Sequence, residues 1–188
     1  MPFRLRLPRK ETLFYLAIAV MASAPAWIVK YPPIQDLPFH LATIRVIHDI
    51  GNPAYGFEDL VLTLGRTQYV LYYLLASGLS YLIGIVPANV LLMSAYLGGT
   101  PLALRELLRA LGKDPRLAIL SVPLLVNVMF MFGLLPFLLG IPLMFWGLAT
   151  AVRWFEEPNP KRGALLAVIA FALFYSHIFP FGIFGLGF

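Results

Sequence analysis

The chain has no cysteine, which excludes disulfides and thiolate metal sites and leaves the redox state of its compartment unreadable. Charge is nearly as scarce: 12% of residues, against about 25% in soluble domains. Internal repeats, a basic low-complexity tail and a glycine-rich phosphate loop are also missing. Nucleic acid therefore has no footprint here, because the net charge of +5 comes from Lys and Arg flanking apolar runs. In such positions they set topology and meet anionic lipid. What the sequence has is hydrocarbon. With 60% hydrophobic residues and a mean hydropathy of +0.83, it cannot cover a water-facing surface and reads as an integral membrane protein. Residues 178–188 lack a polar flank. Residues 1–188 are accordingly expected to form a single transmembrane domain, the N-terminal part of a longer protein.

Taken in order, residues 1–10 carry Arg4, Arg6, Arg9 and Lys10 directly before an apolar run. The positive-inside rule places that end in the cytoplasm. Residues 12–29 are long enough to cross about 30 Å of hydrocarbon. Ala22-Ser23-Ala24 imitates a signal-peptide cleavage site, but Pro25 follows it at once and many spans come later, which favours a retained first span. The segment 31–66 is then an outer loop. Pro32, Pro33 and Pro38 break the helix, and Leu37, Leu41, Ile44 and Ile47 recur at helical spacing opposite Asp36, His40 and Thr43. This pattern predicts a short amphipathic helix in the interface plane.

Residues 67–104 and 117–154 are each too long for one span. Divided near Gly84 and near Gly133, they bring the expected architecture to an all-α polytopic bundle of about six transmembrane helices plus the interfacial one. Arg105-Glu106-Leu107-Leu108-Arg109 is an amphipathic helix end closed by Gly112. A conflict follows. Six spans put 105–116 and 153–162 outside, where the positive-inside rule puts both inside. Either one long run crosses once, or the outer surface is basic and meets anionic lipid.

The sequence Pro32-Pro-Ile-Gln-Asp36-Leu-Pro-Phe-His40-Leu-Ala42, after a basic start and one span, resembles the first outer loop of the glycosyltransferase-C superfamily. Residues 127–140 and Tyr175-Ser-His-Ile-Phe179 look closer still to a bacterial branch of such proteins. The resemblance implies a polytopic enzyme of the inner membrane that moves a sugar from a polyprenyl-phosphate carrier to an acceptor at the outer face. That family often has a second acidic residue in its second outer loop, for which Asp114 is the sole candidate.

On this reading Asp36 is the general base or a ligand for a divalent cation, and His40, one turn on, is its hydrogen-bonded partner. Asp36 also has a plainer role as cap for the helix beginning at Leu37, with the Phe39 amide as its target. Arg66 and Arg105 are expected to grip the carrier phosphate, with Arg109 on the face of Arg105 and Arg116 beyond it. Their plainer role is anchoring at the membrane edge. His177, in the sixth span, is a substrate-binding candidate or a buried histidine bonded to a carbonyl freed by Pro180. Asn127 is expected to bridge helices. His48 and Asp49 should point apart onto a solvated face, and Trp27 and Trp154 should anchor the interfaces. The main rival function is a secondary transporter or flippase for a lipid-linked or anionic solute, with Asn127 and His177 lining a path. A membrane scaffold without a site is the third.

Overall fold

The computed structural model describes residues 9–63, 66 and 68–187; the basic stretch 1–8, expected on the cytoplasmic side, lies outside the described residues. All regular structure among them is helical: α1 Arg9–Ser23, α2 Pro25–Ile28, α3 Leu37–Asp49, α4 Val70–Ile83, α5 Ile85–Ala110, α6 Val128–Phe132, α7 Leu135–Glu156, α8 Pro160–Ser176 and α9 Ile178–Leu186. Two of them, α5 and α7, are long and apolar enough to cross a membrane. Large side chains such as Ile28, Leu82 and Leu186 stand at least 80% exposed, as lipid contact requires of a greasy exterior.

Contacts between α5 and α7 define the long axis. Gly99 faces Pro142 and Glu106 meets Arg153, so the two helices run side by side in the same direction. Helix α1 runs against α5, with Glu11 at Arg105 and Arg109 and Ser23 bonded to the Ser94 carbonyl. They approach so closely that a side chain at Gly98 would meet the Ala19 carbonyl at 2.9 Å. From Pro115, whose carbonyl accepts the Tyr15 hydroxyl, the chain returns along the bundle through a 3₁₀ segment and α6. It arrives where the Gln35 and Asp36 amides donate to the carbonyls of Met131 and Phe132. Helix α8 packs against α7 in the opposite sense, its Ser176 hydroxyl reaching the Pro136 carbonyl. Helix α9 then turns back along α7, with Pro180 against Gly140 and Phe184 against Gly147.

One end of the bundle is therefore basic and holds Lys10, Arg105, Arg109, Lys113, Arg116, Arg153 and Arg162. The other holds Asp36. Helix α4 differs from the expectation of two crossings in 67–104. It lies beside α3, running the same way, because His40 meets Tyr73 and the Tyr81 hydroxyl donates to the His48 carbonyl 2.6 Å away. Its first turn is fixed to the first turns of α5 by a 2.8 Å bond from the Tyr72 hydroxyl to Asn89 Oδ1. Both ends of α4 thus stay at the Asp36 end, and only α5 traverses the bundle. Apolar length counts residues and says nothing of direction; Gly84, at φ +86°, makes the corner.

Candidate functional site

At the Asp36 end, three segments distant in sequence meet. Residues 31–36 come off α2 as a bend and a turn, held by bonds from the Ile34 amide to the Pro32 carbonyl and from the Leu37 amide to the Ile34 carbonyl, and they lie against the Met131–Gly133 turn. Gly133 closes α6 in the left-handed region at φ +89°. A side chain there would sit 2.8 Å from the Ile34 methyl and 3.2 Å from the Asp36 amide. No other residue type fits the turn against this strand of backbone.

Asp36 stands at the head of α3 and its carbonyl starts the helix, accepting from the His40 amide. Its carboxylate does not cap, which corrects the plainer reading. A cap needs extended backbone, whereas Asp36 is at φ −90°, ψ 8°, and Pro38 removes one of the two amides a cap would use. Among the described residues this half-buried carboxylate takes part in no hydrogen bond or ion pair. Its charge acts on His40 and Tyr73.

His40 is 4% exposed, where the polar face of the helix beside Asp36 and Thr43 was expected. It follows Leu37 and precedes Ile44 at spacings of three and four, so all three share the buried stripe of α3. Its Nδ1 lies 2.9 Å from the Tyr73 hydroxyl and its Nε2 2.5 Å from the Gly133 carbonyl. The expected hydrogen bond to Asp36 is therefore not formed: both ring nitrogens are already taken. A carbonyl only accepts, so Nε2 carries the proton, and in the neutral ring Nδ1 accepts from Tyr73. Burial holds the imidazole below its ordinary value near 6.5, outweighing the Gly133 bond and the Asp36 charge.

The sign of the resulting pH dependence is fixed. A histidine with a depressed folded value contributes full stability above the unfolded value of 6.5 and loses it as pH falls through the folded one. Thermal unfolding in detergent is expected to drop between pH 7.5 and 5.5, and His40→Gln to flatten that slope; a slope unchanged in the variant contradicts the assignment.

His177 comes to the same end, at the break between α8 and α9 rather than inside a span. Its backbone is extended and its Nδ1 accepts the Phe179 amide at 3.2 Å, in place of the expected bond to a freed carbonyl. The ring meets Tyr69 and Phe137 edge-on. Tyr69 heads α4 and Tyr73 lies in its first turn, so His177 and His40 meet two aromatic rings four residues apart. Arg66, exposed, stands three residues before Tyr69 and makes no ion pair among the described residues. Lys30 lies over the Tyr31 ring at 5.3 Å and is a second cation at this end that sequence reasoning passed over. Tyr73 was passed over too, although Tyr69, Tyr72 and Tyr73 at helical spacing were a readable signal.

Arg105 and Arg109 are not at this site. Arg105 is sixteen residues beyond Asn89 on α5, about 24 Å along the axis. Both guanidiniums are bound to Glu11, Arg109 also to Glu106, and Arg105 lies 4.4 Å from the Tyr15 ring centre. Arg116 is paired with Asp114 at 2.8 Å on the same basic end, so Asp114 is far from Asp36. The structure thus brings Asp36, His40 and His177 to one end, with Arg66 three residues from Tyr69 in sequence, and separates Arg105 and Arg109 from them.

At the far end of α3, His48 Nδ1 is 3.0 Å from Asp49 Oδ1, and Arg45 binds the other oxygen at 2.7 Å. The two do not point apart: His48 stacks on Tyr81, with ring centres 4.0 Å apart, which turns its Nδ1 to the carboxylate. The hydrogen bond from Arg45 holds the Asp49 carboxyl below its usual range. Asn127 caps α6 through the Met129 and Phe130 amides.

Among the described residues no three of His, Asp or Glu gather as a metal would need. Asp36 alone is a poor divalent-cation site, and its neighbours His40 and Tyr73 spend their polar atoms on each other. The arrangement is better suited to taking a proton than to holding an ion. Comparison with family models, curated proteins and solved structures finds no match for this chain.

Proposed function

We propose that the protein is a membrane glycosyltransferase of the glycosyltransferase-C type, with Asp36 as general base at the outer face of a bacterial inner membrane. One observation carries the reading: a half-buried carboxylate, free of protein partners among the described residues, stands beside a buried neutral His40 that pairs with Tyr73. Burying charge without a partner is unfavourable, so such a group is kept where solvent or a substrate completes it. In the reaction an acceptor hydroxyl attacks the anomeric carbon of the sugar. Its proton passes to Asp36, the bond from that carbon to the phosphate oxygen breaks, and the polyprenyl phosphate leaves with the electron pair. Arg66 and Lys30 are the cations at this end that suit the departing phosphate. Arg105 and Arg109 have no part in it.

The orientation follows from charge. The basic end, where α1 begins, is cytoplasmic; α1, α5, the 115–133 segment, α7 and α8 make five crossings, and α9 turns back into the membrane. Five crossings with α4 lying flat put 105–116 and 153–162 inside, which removes the conflict with the positive-inside rule. The lipid-linked donor is the partner.

The experiment uses membranes containing the protein and a labelled polyprenyl-phosphate sugar. Label is expected on the acceptor with the wild-type chain and lost with Asp36→Asn; transfer at wild-type rate in the variant rejects the reading. A transporter is the second reading, favoured by the α8–α9 break at His177, where a half-helix turns back as in discontinuous transport helices. It predicts that His177→Ala stops solute movement while Asp36→Asn leaves it.

A further inference from the structure

The basic end has a cleft of about 1140 Å³ where α1, the end of α5, α7 and α8 meet. Five cations gather in and behind it (Arg105, Arg109, Lys113, Arg153 and Arg162) against the carboxylates of Glu11, Glu106, Glu156 and Glu157, five minus four leaving one positive charge. The balance is uneven in space. Glu11 and Glu106 are bound to Arg105, Arg109 and Arg153, whereas Lys113 makes no ion pair among the described residues. Arg162 donates from Nη1 to the carbonyls of Arg153 and Glu157 at 2.7 and 2.8 Å, and its Nη2 meets only the Glu157 carboxylate, at 3.4 Å, which leaves that side of the guanidinium open to the cleft. Next to this cleft an apolar groove of about 410 Å³ runs between α8 and α9, walled by Trp154, Gly163, Leu166, Ala170, Phe181 and Phe184. The two are joined in the chain: Arg153 and Arg162 line the cleft, and Trp154 and Gly163, the next residue in each case, open the groove.

We infer that this composite surface binds one anionic phospholipid of the cytoplasmic leaflet, its phosphodiester at Lys113 and Arg162 and an acyl chain in the α8–α9 groove. A single net positive charge matches a phosphodiester monoanion, and an indole at the mouth suits headgroup depth. A packing helix would fill the groove but leave the charged cleft empty; a free phosphate would do the reverse. The inference rests on the orientation given above and not on the transfer chemistry, so it stands or falls without a transfer assay.

The test is thermal unfolding of the full chain in neutral detergent, titrated with phosphatidylglycerol, phosphatidylcholine or inorganic phosphate. Phosphatidylglycerol is expected to stabilise saturably and at least tenfold more tightly than phosphatidylcholine, and inorganic phosphate alone to do nothing. Lys113→Gln, an exposed change, is expected to weaken phosphatidylglycerol about fivefold, roughly what one membrane-surface cation contributes. Ala170→Leu, which fills the groove, should weaken it by a similar factor, and Arg116→Gln, at the same end but paired with Asp114, should not. Equal binding of phosphatidylcholine, an equal shift from inorganic phosphate, or full phosphatidylglycerol binding in both Lys113→Gln and Ala170→Leu overturns the inference.

Discussion

Gly133→Ala is expected to destabilise the protein by about 3 kcal/mol, the largest effect of any small substitution at the Asp36 end. Two causes add. The left-handed backbone costs a residue with a Cβ roughly 1–2 kcal/mol. The new methyl also lands 2.8 Å from the Ile34 side chain and 3.2 Å from backbone at Asp36, which cannot swing away as a flexible side chain would. Gly112 provides the comparison, since it has φ +64° but open space around it. Gly112→Ala should therefore show the backbone cost alone, about 1–2 kcal/mol. Chemical unfolding in detergent measures both. Equal losses at the two positions would mean that the turn at Gly133 does not press on the Asp36 segment.

Asp36→Asn is expected to lower sugar transfer by about 10²–10⁴-fold, the usual worth of a general base. Stability should move by no more than about 0.5 kcal/mol, because the carboxylate supports no helix cap and no ion pair among the described residues. Asp49→Asn should behave in the opposite way. It removes the partner of Arg45 and His48, so stability falls while the Asp36 end is untouched. The contrast between two aspartates on one short helix separates chemistry from folding. Transfer that survives Asp36→Asn and fails in Asp49→Asn would place the reaction elsewhere.

Much of this was legible in local sequence. The proline cluster at 32, 33 and 38, the helix stop at Gly112, the division at Gly133 and the position of Asp36 at the head of α3 all follow from backbone rules that act over a few residues. What could not be read depends on partners far along the chain. His40 looked like a polar-face residue because the residues that pair with it are 33 and 93 positions away. Arg105 and Arg109 looked available for a phosphate because Glu11, which binds both, is 94 and 98 positions off. Helix α4 shows the same limit. Its 14 residues, about 21 Å of helix, are as apolar as a span, yet the corner at Gly84 and the Tyr72–Asn89 bond lay it beside α3. His48 and Asp49, adjacent in sequence and expected to diverge on a helix, meet because the stacked Tyr81 ring, 33 positions from His48, fixes the imidazole.

The account depends on the two ends facing opposite sides of a membrane, with Asp36 outward. Because the chain has no cysteine, single-cysteine variants report this without interference. Phe39, 65% exposed beside Asp36, and Lys113, exposed at the basic end, are suitable positions. A membrane-impermeant maleimide added to intact spheroplasts is predicted to label Phe39→Cys at once and Lys113→Cys only after permeabilisation. Labelling of Lys113→Cys from outside, with Phe39→Cys protected, would contradict it.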